Sequence, residues 1–252
     1  MTQETTAKDN VQVSVVLPAY NEVDLLENAV AKISQALKET DYTYEIVIAE
    51  DGSVDGTAQR SEELAQQLSY VKHVHHQERL GRGIALKNAF RQRNSEVFVY
   101  MDLDLASSLK SLKSLIDAVT VNGYDFSTGS RMLPGSKVER SLRRDISSKT
   151  YNYLVRQMLG STLRDHQCGF KALKREPLLS LLDEIEAKHW FWDTEMLVRA
   201  QLHGYHIKEI PVEWKSGKDT KVNLFKDSWS MFKHIMRLWW KLKVKHEKQV
   251  NA

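Results

Sequence analysis

Two aspartates, Asp102 and Asp104, stand two positions apart directly after the apolar run 97–101. Residues two apart in an extended chain project to the same side, so both carboxylates can face one ligand. Two hard oxygen ligands suit Mg²⁺ or Mn²⁺ carrying a diphosphate, because such ions take few carboxylates and complete their shell with phosphate oxygens and water. The alternative is that the two aspartates only cap the next helix.

Two further polar loops follow apolar runs. The first is Pro-Ala-Tyr-Asn-Glu at 18–22, and the second is Glu-Asp-Gly-Ser-Val-Asp-Gly-Thr at 50–57. Tyr20 is suited to stack on a base or ribose, and Asp51 to accept a hydrogen bond from a base edge. Helix capping by Asn21, Asp55 or Thr57 is the structural alternative. Three such loops at one sheet edge favour a binding site.

The elements that must position these loops alternate between strand and helix. Strands are predicted at 13–17, 45–49, 71–75, 97–101, 124–130 and 206–212, and helices at 25–37, around 64–68, and at 81–91, 108–121, 143–159 and 192–202. The alternation predicts an α/β fold with a doubly wound, mostly parallel sheet that carries helices on both faces. The loops then lie at the carboxyl edge of the sheet, where such folds bind ligands.

The C-terminal segment 225–252 is predicted to be a basic amphipathic helix. One face of the helical wheel carries Phe225, Trp229, Phe232, Ile235, Met236, Trp239, Trp240 and Leu242, and the other carries Lys226, Lys233, Arg237, Lys241 and Lys245. Leu238 falls near the boundary, and Lys243 falls inside the apolar arc. Tryptophan and lysine in this pattern favour contact with a membrane surface. A helix packed on its own domain is the alternative.

Composition limits the class of protein. A net charge of +3 suits an anionic substrate or a membrane surface and does not indicate nucleic acid. The single cysteine, Cys168, excludes an intramolecular disulfide and is consistent with a reducing compartment. No run of about eighteen apolar residues is present, and the polar tail 1–10 lacks a secretory signal. We therefore expect a cytoplasmic protein, peripheral on the cytosolic face of a membrane.

Taken together, the motifs resemble glycosyltransferase family 2 with the GT-A fold, over residues 11–224. Later strings narrow the resemblance to the polyprenyl- and dolichyl-phosphate sugar synthases: Gly-Ser-Arg at 129–131, Asp-His-Gln-Cys-Gly-Phe-Lys at 165–171, Trp-Asp-Thr-Glu at 192–195 and Glu-Ile-Pro-Val-Glu-Trp at 209–214. The string Gln-Cys-Gly-Phe-Lys is closer to dolichyl-phosphate glucosyltransferases than to mannose synthases, which usually have Ser-Gly-Phe-Arg. The resemblance implies inverting transfer of one sugar, glucose from UDP-glucose, to a polyprenyl phosphate.

The resemblance also implies roles for individual residues. Nucleotide-sugar binding falls to Pro18, Tyr20, Glu22, Asp51, Asp102 and Lys221; metal binding to Asp102 and Asp104; and catalysis to Asp104, Arg131 and Arg143. Arg131 and Arg143 are assigned to the acceptor phosphate because a guanidinium presents a bidentate fork. Arg140 and Arg144 compete with Arg143 for that role. Asp193 and Glu195 are expected to position the acceptor side.

Four alternatives stay open. After Asp104 the chain continues with Leu105 and Ala106, where mannose synthases usually have Leu-Gln, which weakens GDP-mannose as donor. A relative that glycosylates a sugar hydroxyl would need Asp193 or Glu195 as base. A nucleotidyltransferase would carry a glycine-rich basic loop after the first strand, and a non-catalytic adaptor would have no need of three acidic loops. The histidines at 75, 76, 166 and 189 and Cys168 are interpreted as surface or packing residues.

Overall fold

The computed structural model of the chain describes residues 11–215 and 224–250, with side chains in the last helix described from 230 to 243. The strands of the described part are β1 Val13–Ala19, β2 Tyr44–Asp51, β3 Val71–His76, β4 Val97–Met101, β5 Phe126–Ser130, β6 Lys137–Glu139, β7 Phe170–Lys174, β8 Ile207–Pro211 and β9 Glu213–Lys215. The helices are α1 Val23–Lys38, α2 Thr57–Gln67, α3 Arg82–Gln92, α4 Leu112–Thr120, α5 Leu142–Leu159, α6 Arg175–Leu181, α7 Trp192–Leu202 and α8 Leu224–Val250.

Seven strands form the main sheet in the order β3-β2-β1-β4-β7-β5-β8. Neighbouring strands are parallel except at β7, which runs antiparallel to both β4 and β5. A second, two-stranded sheet pairs β6 with β9. The predicted doubly wound, mostly parallel α/β sheet is confirmed.

Each face of the sheet is covered by helices, because alternate residues of the apolar strands project to opposite sides. Val15 and Leu17 of β1 pack with α1 and α4 on one face. Val16 of the same strand packs with α3, α6 and α7 on the other. With both faces buried, the central strands read as continuous apolar runs, as expected for parallel strands.

Pro18 does not end β1, which continues to Ala19 in register with β2. Beyond Val16 the strand no longer pairs with β4, so Pro18 lies where only one neighbour is paired. Proline is tolerated at such edge-like positions.

The antiparallel strand β7 was not predicted. Its five residues include two lysines, and Lys171 is fully buried. Because β7 runs opposite to β4, its first residue Phe170 lies beside Met101, the last residue of β4. The segment that precedes β7 therefore arrives at the same sheet edge as the two aspartates that follow β4.

Helix α8 packs on the domain through Met231, Ile235 and Leu238, which contact α5 residues such as Val155. Leu238, predicted at the boundary of the apolar face, is buried. Met236 and Trp240, predicted on the apolar face, are 38% and 66% exposed. The buried side of α8 is therefore rotated about the helix axis relative to the apolar face that the sequence predicted. Within the described residues there is no helix whose length and apolar content would let it span a bilayer.

Candidate active site

A cavity of about 470 Å³ opens beyond the carboxyl ends of β4 and β5 and is walled by α5, α7 and α8. We call it the arginine cavity. Its lining combines the carboxylates Asp102, Asp104 and Asp193, the arginines Arg82, Arg131, Arg140 and Arg144, and the apolar or aromatic side chains Tyr151, Leu154, Trp190, Trp214, Met231, Phe232 and Ile235. The two predicted metal ligands and the predicted Arg131 thus face the same space.

Asp102 and Asp104 reach this cavity from the end of β4. Asp102 accepts a hydrogen bond from Arg82, with 2.7 Å between Oδ1 and Nη2. Asp104 accepts one from the backbone N–H of Ala106 at 3.0 Å. Burial raises the pKa of Asp104 above its usual range; the Ala106 N–H opposes that rise, and the neighbouring charge of Asp102 adds to it. A carboxyl group whose pKa is raised by burial and by a neighbouring carboxylate would gain from a bound cation.

Gly169 fixes how closely the chain can approach Asp102. A Cβ at position 169 would lie 2.3 Å from Asp102 Oδ2 and 2.9 Å from its Cγ. Such contacts are far inside van der Waals distance, so only glycine leaves room for the carboxylate. The glycine of the Gln-Cys-Gly-Phe-Lys string is therefore a spacing requirement of the aspartate pair.

The pair fits a divalent cation of the Mg²⁺ or Mn²⁺ type. Both carboxylates line one cavity, and oxygen is the ligand that these ions prefer. Two carboxylates are also few enough to leave positions for phosphate oxygens and water. Asp102 and Asp104 would hold the ion, with Arg82 sharing Asp102.

Asp193 lies at the centre of a buried ionic network that the sequence did not predict. Its Oδ2 accepts from Arg82 Nη1 at 2.6 Å, and its Oδ1 accepts from Lys171 Nζ at 2.7 Å and from the Tyr100 hydroxyl. Burial alone would raise the pKa of Asp193, but the charges of Lys171 and Arg82 outweigh it and lower the pKa. A carboxylate held by two cations and a hydroxyl is a poor proton acceptor.

Glu195 has a structural position. It accepts two bonds from Arg199, at 2.9 Å from Nε and 2.7 Å from Nη2. It also accepts the backbone N–H of Ala187 at 2.9 Å and that of Glu186 at 3.2 Å. Glu195 therefore pins the loop before α7 to the helix.

Arg131 is held by a bidentate pair with Asp165. Arg131 Nε and Nη2 donate to the two Asp165 oxygens at 2.7 and 2.9 Å. Burial would raise the pKa of Asp165, but the guanidinium charge holds it well below its usual range. The Asp165 backbone N–H donates to Glu209 at 3.0 Å, so the pair is oriented from β8 as well. A guanidinium braced in this way is preorganised for an anion.

The three arginines at the start of α5 differ in direction. Arg140 and Arg144 line the arginine cavity, whereas Arg143 is exposed and belongs to a different side of the helix. Successive helical residues turn by about 100°, which separates Arg143 from Arg144. Arg140 donates to Asp145 at 3.0 Å through Nε. Arg140 and Arg144, but not Arg143, therefore line the same cavity as Arg131.

The loops after β1 and β2 and the loop 79–81 form a second group, which we call the loop cluster. Arg79 lies over the Tyr20 ring, with 3.8 Å between Cζ and the ring centroid. The backbone N–H groups of Leu80 and Gly81 donate to the two oxygens of Asp51, each at 2.8 Å. Asp51 is only 4% exposed.

Side chains also tie the first two loops to each other. Asn21 Oδ1 accepts the Val54 N–H at 2.9 Å, and the Asn21 N–H donates to Ser53 at 3.0 Å. The Glu22 N–H donates to Thr57 at 2.9 Å. Asn21 adopts a positive φ of 53°, a conformation that asparagine tolerates better than most residues. Pro18, Tyr20 and Glu22 are half-buried beside these contacts, and Lys221 lies outside the described residues.

Sequence analysis missed Arg82 and the loop 79–81. The string Arg-Leu-Gly-Arg-Gly at 79–83 carries a signal that could have found them, since two arginines alternate with glycines just before a helix. Gly81 has a φ of +108°, and a Cβ there would lie 2.6 Å from the Lys188 carbonyl oxygen. Glycine is thus required for the turn that delivers two N–H groups to Asp51.

A doubly wound sheet with Asp-x-Asp at the end of its central strand, beside two polar loops on the same edge, defines a glycosyltransferase of the GT-A type. The family described as Glycosyl transferase family 2 matches residues 14–182, and the chain belongs to this family.

Three relatives extend over most of this chain. It is 45% identical over 237 residues to "Glycosyltransferase AglD" of Haloferax volcanii, covering 93% of this chain and 38% of that protein. It is 32% identical to the polyprenol monophosphomannose synthase of Mycolicibacterium smegmatis, covering 82% and 78%. It is 28% identical to the dolichyl-phosphate beta-glucosyltransferase of Dictyostelium discoideum, covering 91% and 74%. The chain therefore spans well under half the length of the first of these relatives.

One solved structure confirms the GT-A fold. Glucosyl-3-phosphoglycerate synthase of Mycobacterium tuberculosis, in complex with Mn²⁺, UDP and glucosyl-3-phosphoglycerate, superposes with a TM-score of 0.65 at 18% identity. The match covers 89% of this chain and 77% of that one.

Proposed function

We propose that this chain transfers a single glucose from UDP-glucose to the phosphate of a polyprenyl or dolichyl phosphate, with inversion at the anomeric carbon. One observation carries the proposal: the arginine cavity joins Asp102 and Asp104 to three arginines on one side and to an apolar wall on the other. An acceptor with an anionic head and an apolar tail matches that division.

The cation set supports a phosphate acceptor. Arg131 is oriented by Asp165, and Arg140 and Arg144 project from the start of α5 into the same space. Guanidinium groups bind phosphate through paired hydrogen bonds. The apolar wall, with Leu154 and Ile235 among its members, would accommodate the first isoprene units. On this geometry we propose Arg140 and Arg144 for the acceptor phosphate together with Arg131; the sequence-based assignment of Arg143 stays a prediction.

The chemistry needs no strong base. A phosphomonoester has a second pKa near 6, so its oxygen is already largely ionised at neutral pH. That oxygen forms the new bond to the anomeric carbon while the bond to the diphosphate oxygen breaks, and the electron pair leaves with the nucleoside diphosphate. A metal ion on Asp102 and Asp104 would neutralise the charge that develops on the leaving diphosphate. The arginines hold the acceptor anion against the repulsion of the donor.

The identity of the sugar donor is proposed from sequence motifs and from similarity to the relatives. Tyr20 and Asp51 in the loop cluster are proposed to bind the nucleotide, with Pro18, Glu22 and Lys221 assigned to the same role by resemblance alone. The string Gln-Cys-Gly-Phe-Lys at 167–171 and the presence of Ala106 favour UDP-glucose over GDP-mannose. The relatives from Dictyostelium discoideum and Mycolicibacterium smegmatis are named for glucosyl and mannosyl transfer respectively, so GDP-mannose is the second donor to test.

The state of Asp193 argues against transfer to a sugar hydroxyl. That reaction requires a positioned base, and the pKa of Asp193 is lowered by Lys171 and Arg82 after they overcome the effect of burial. Glu195 is occupied by Arg199 and by two backbone N–H groups. Neither carboxylate is poised to take a proton from a hydroxyl.

Membrane contact is proposed at two exposed apolar sets. Trp240 and Met236 project from α8, on the side away from its buried stripe. Leu142, Ile146 and Tyr153 are exposed on α5, and at about 100° per residue they share one face of that helix. Tryptophan and tyrosine are suited to a bilayer interface. We propose that these sets hold the enzyme at the cytosolic face of a membrane that supplies the acceptor.

The test is transfer of radiolabelled sugar to polyprenyl phosphate in detergent with Mg²⁺ or Mn²⁺, comparing UDP-glucose, UDP-N-acetylglucosamine and GDP-mannose. An acid-labile lipid product from UDP-glucose, reduced in Arg144→Ala and retained in Arg143→Ala, is the expected result. Product from GDP-mannose alone would overturn the donor. Binding of sugar nucleotide with no lipid product from any donor would overturn the acceptor.

A further inference from the structure

A second group of ligating side chains lies at the β2–β3 edge of the sheet. Glu50 and His75 face each other directly in the parallel register, and His73 lies two residues before His75 on the same face of β3. One ligating atom from each of the three residues lies within 4.8 Å of those of the other two. Sequence analysis interpreted His75 as a surface or packing residue because it considered spacing along the chain and not pairing across strands.

The hydrogen bonds of the cluster leave one nitrogen without a partner. His73 Nδ1 lies 3.1 Å from Glu62 Oε2, so Nδ1–H donates to the carboxylate in the neutral tautomer that leaves Nε2 with a lone pair. The His73 side chain is only 7% exposed, and its Nε2 is buried without a hydrogen-bond partner. A buried acceptor without a donor is costly, and a metal ion would supply the missing partner.

The other two residues are positioned around the same point. Glu50 is fully buried, and its Oε2 lies 2.5 Å from His75 Nδ1. Its second oxygen accepts the Ser53 N–H, which fixes the carboxylate. The His75 side chain is 46% exposed, so an ion can enter from solvent. A cation would take the place of the proton shared between Glu50 and His75.

We propose that Glu50, His73 and His75 bind a zinc ion, with Glu62 orienting His73 from behind. Two imidazoles and one carboxylate are a ligand set that Zn²⁺ uses with a fourth position for water. A carboxylate on the far nitrogen of a metal-binding histidine is the usual second partner. The all-oxygen pair of Asp102 and Asp104 suits harder ions, so the chain separates two classes of cation by ligand chemistry.

The ion would join three elements. Glu50 is the second-last residue of β2, the two histidines lie on the edge strand β3, and Glu62 belongs to α2. Through Glu50 it would also brace Ser53, whose hydroxyl accepts the Asn21 N–H in the loop cluster. Zinc would therefore tie the edge strand β3 to β2 through side chains and stiffen the turn that follows Asp51.

The experiment uses tag-free full-length chain with Asp102→Asn and Asp104→Asn, so that the oxygen site does not contribute. After chelator treatment, equilibrium dialysis against Zn²⁺ with elemental analysis should give one ion per chain. His75→Gln, whose amide can still donate to Glu50, should lose stoichiometric binding. Glu62→Gln should weaken binding by about 10- to 100-fold. His206→Gln, at a histidine that is 81% exposed, is the matched control and should bind as before.

A second measurement does not depend on any histidine variant. Co²⁺ added to the same stripped protein should give the intense visible bands of a four-coordinate site with nitrogen ligands. Weak bands typical of six oxygen ligands would overturn the proposal. So would less than stoichiometric Zn²⁺ binding, or equal affinity of His75→Gln and His206→Gln.

Discussion

The loop cluster and the arginine cavity are held by different kinds of contact. In the loop cluster, short side chains bond to the backbone of the neighbouring loop, as Asn21 does to Val54 and Asp51 does to Gly81. In the arginine cavity, buried charges hold one another, as Asp193 holds Lys171 and Asp165 holds Arg131. The first arrangement fixes the backbone conformation of the loops, whereas the second places paired charges inside the protein. Substitutions should therefore weaken binding in the first and stability in the second.

The largest effect is expected from Asp193→Ala. The substitution leaves Lys171 buried at 0% exposure without its carboxylate, and an uncompensated buried charge costs about 3–5 kcal/mol. Urea unfolding measures the change in the free energy of unfolding. Asp183→Ala, which removes an exposed carboxylate paired with Arg91, should change the free energy of unfolding little. Equal losses of unfolding free energy in the two variants would contradict the claim that the buried charges of the arginine cavity stabilise the chain.

Asp104→Asn should abolish most of the transfer activity and leave the fold intact. Loss of a group that stabilises developing charge lowers the rate by about 10²- to 10³-fold. The rate of sugar transfer at saturating Mg²⁺ measures it, with exposed Asp41→Asn as the matched control. Because the pKa of Asp104 is raised, this carboxylate takes up a proton at a higher pH than an ordinary aspartate does. As pH falls, the wild-type enzyme should therefore need more metal for the same activity, beginning at that higher pH. Full transfer activity in Asp104→Asn would refute the role.

Acidification should destabilise the chain through His166. Burial lowers the pKa of His166 to about 4, from 6.5. The unfolded chain therefore binds a proton at higher pH than the folded chain does, and stability is lost as pH falls from about 6.5 toward 4. The loss from this group totals about 3 kcal/mol. Urea unfolding against pH should show a shallower slope in His166→Gln and the wild-type slope in His206→Gln. An unchanged slope in His166→Gln would exclude the mechanism.

The smallest effect is expected in the loop cluster. Tyr20→Ala removes the ring over which Arg79 lies, and a partly exposed cation–π contact contributes about 0.5–2 kcal/mol. The proposed contact of the Tyr20 ring with the nucleotide is lost as well, so the KM for the sugar nucleotide should rise by roughly tenfold. The free energy of unfolding should fall by no more than the contribution of the cation–π contact. Initial-rate kinetics measure KM. The control is Tyr124→Ala, at a half-buried tyrosine two residues before β5. A loss of several kcal/mol of stability in Tyr20→Ala would erase the contrast with Asp193→Ala.

The loop cluster was predictable because each of its first two loops follows its own strand. Apolar runs such as 45–49 identify the strand, and the polar string after it identifies the edge. The same logic found Asp102 and Asp104 after β4. The cavity was less predictable, because its residues come from distant segments: Arg82 and Asp193 are 111 positions apart.

One miss comes from the rotation of a helix about its axis: Leu238 was put at the boundary of the apolar face of α8, although the structure buries it. The preference for Arg143 over Arg144 depends on the same kind of rotation in α5 and stays a prediction; Arg144 lines the arginine cavity. The spacing of apolar residues shows that a helix is amphipathic. Its neighbours decide how it is rotated about its axis, and a small rotation changes which residues are buried. The strand β7 was missed for another reason. Lys171 looks like a surface residue until its partner Asp193 is known.

The antiparallel course of β7 has a consequence for how acceptor preference can be changed. β5 ends at Ser130 and β7 begins at Phe170, and the two strands are paired at Thr128 and Lys171. The stretch 131–169 therefore leaves and re-enters the sheet at adjacent points, and it carries Arg131, Arg140 and Arg144. The two ends of this stretch are anchored side by side in the sheet. We expect that replacing it by the matching stretch of a relative would exchange acceptors without altering the sheet edge that is proposed to bind the donor.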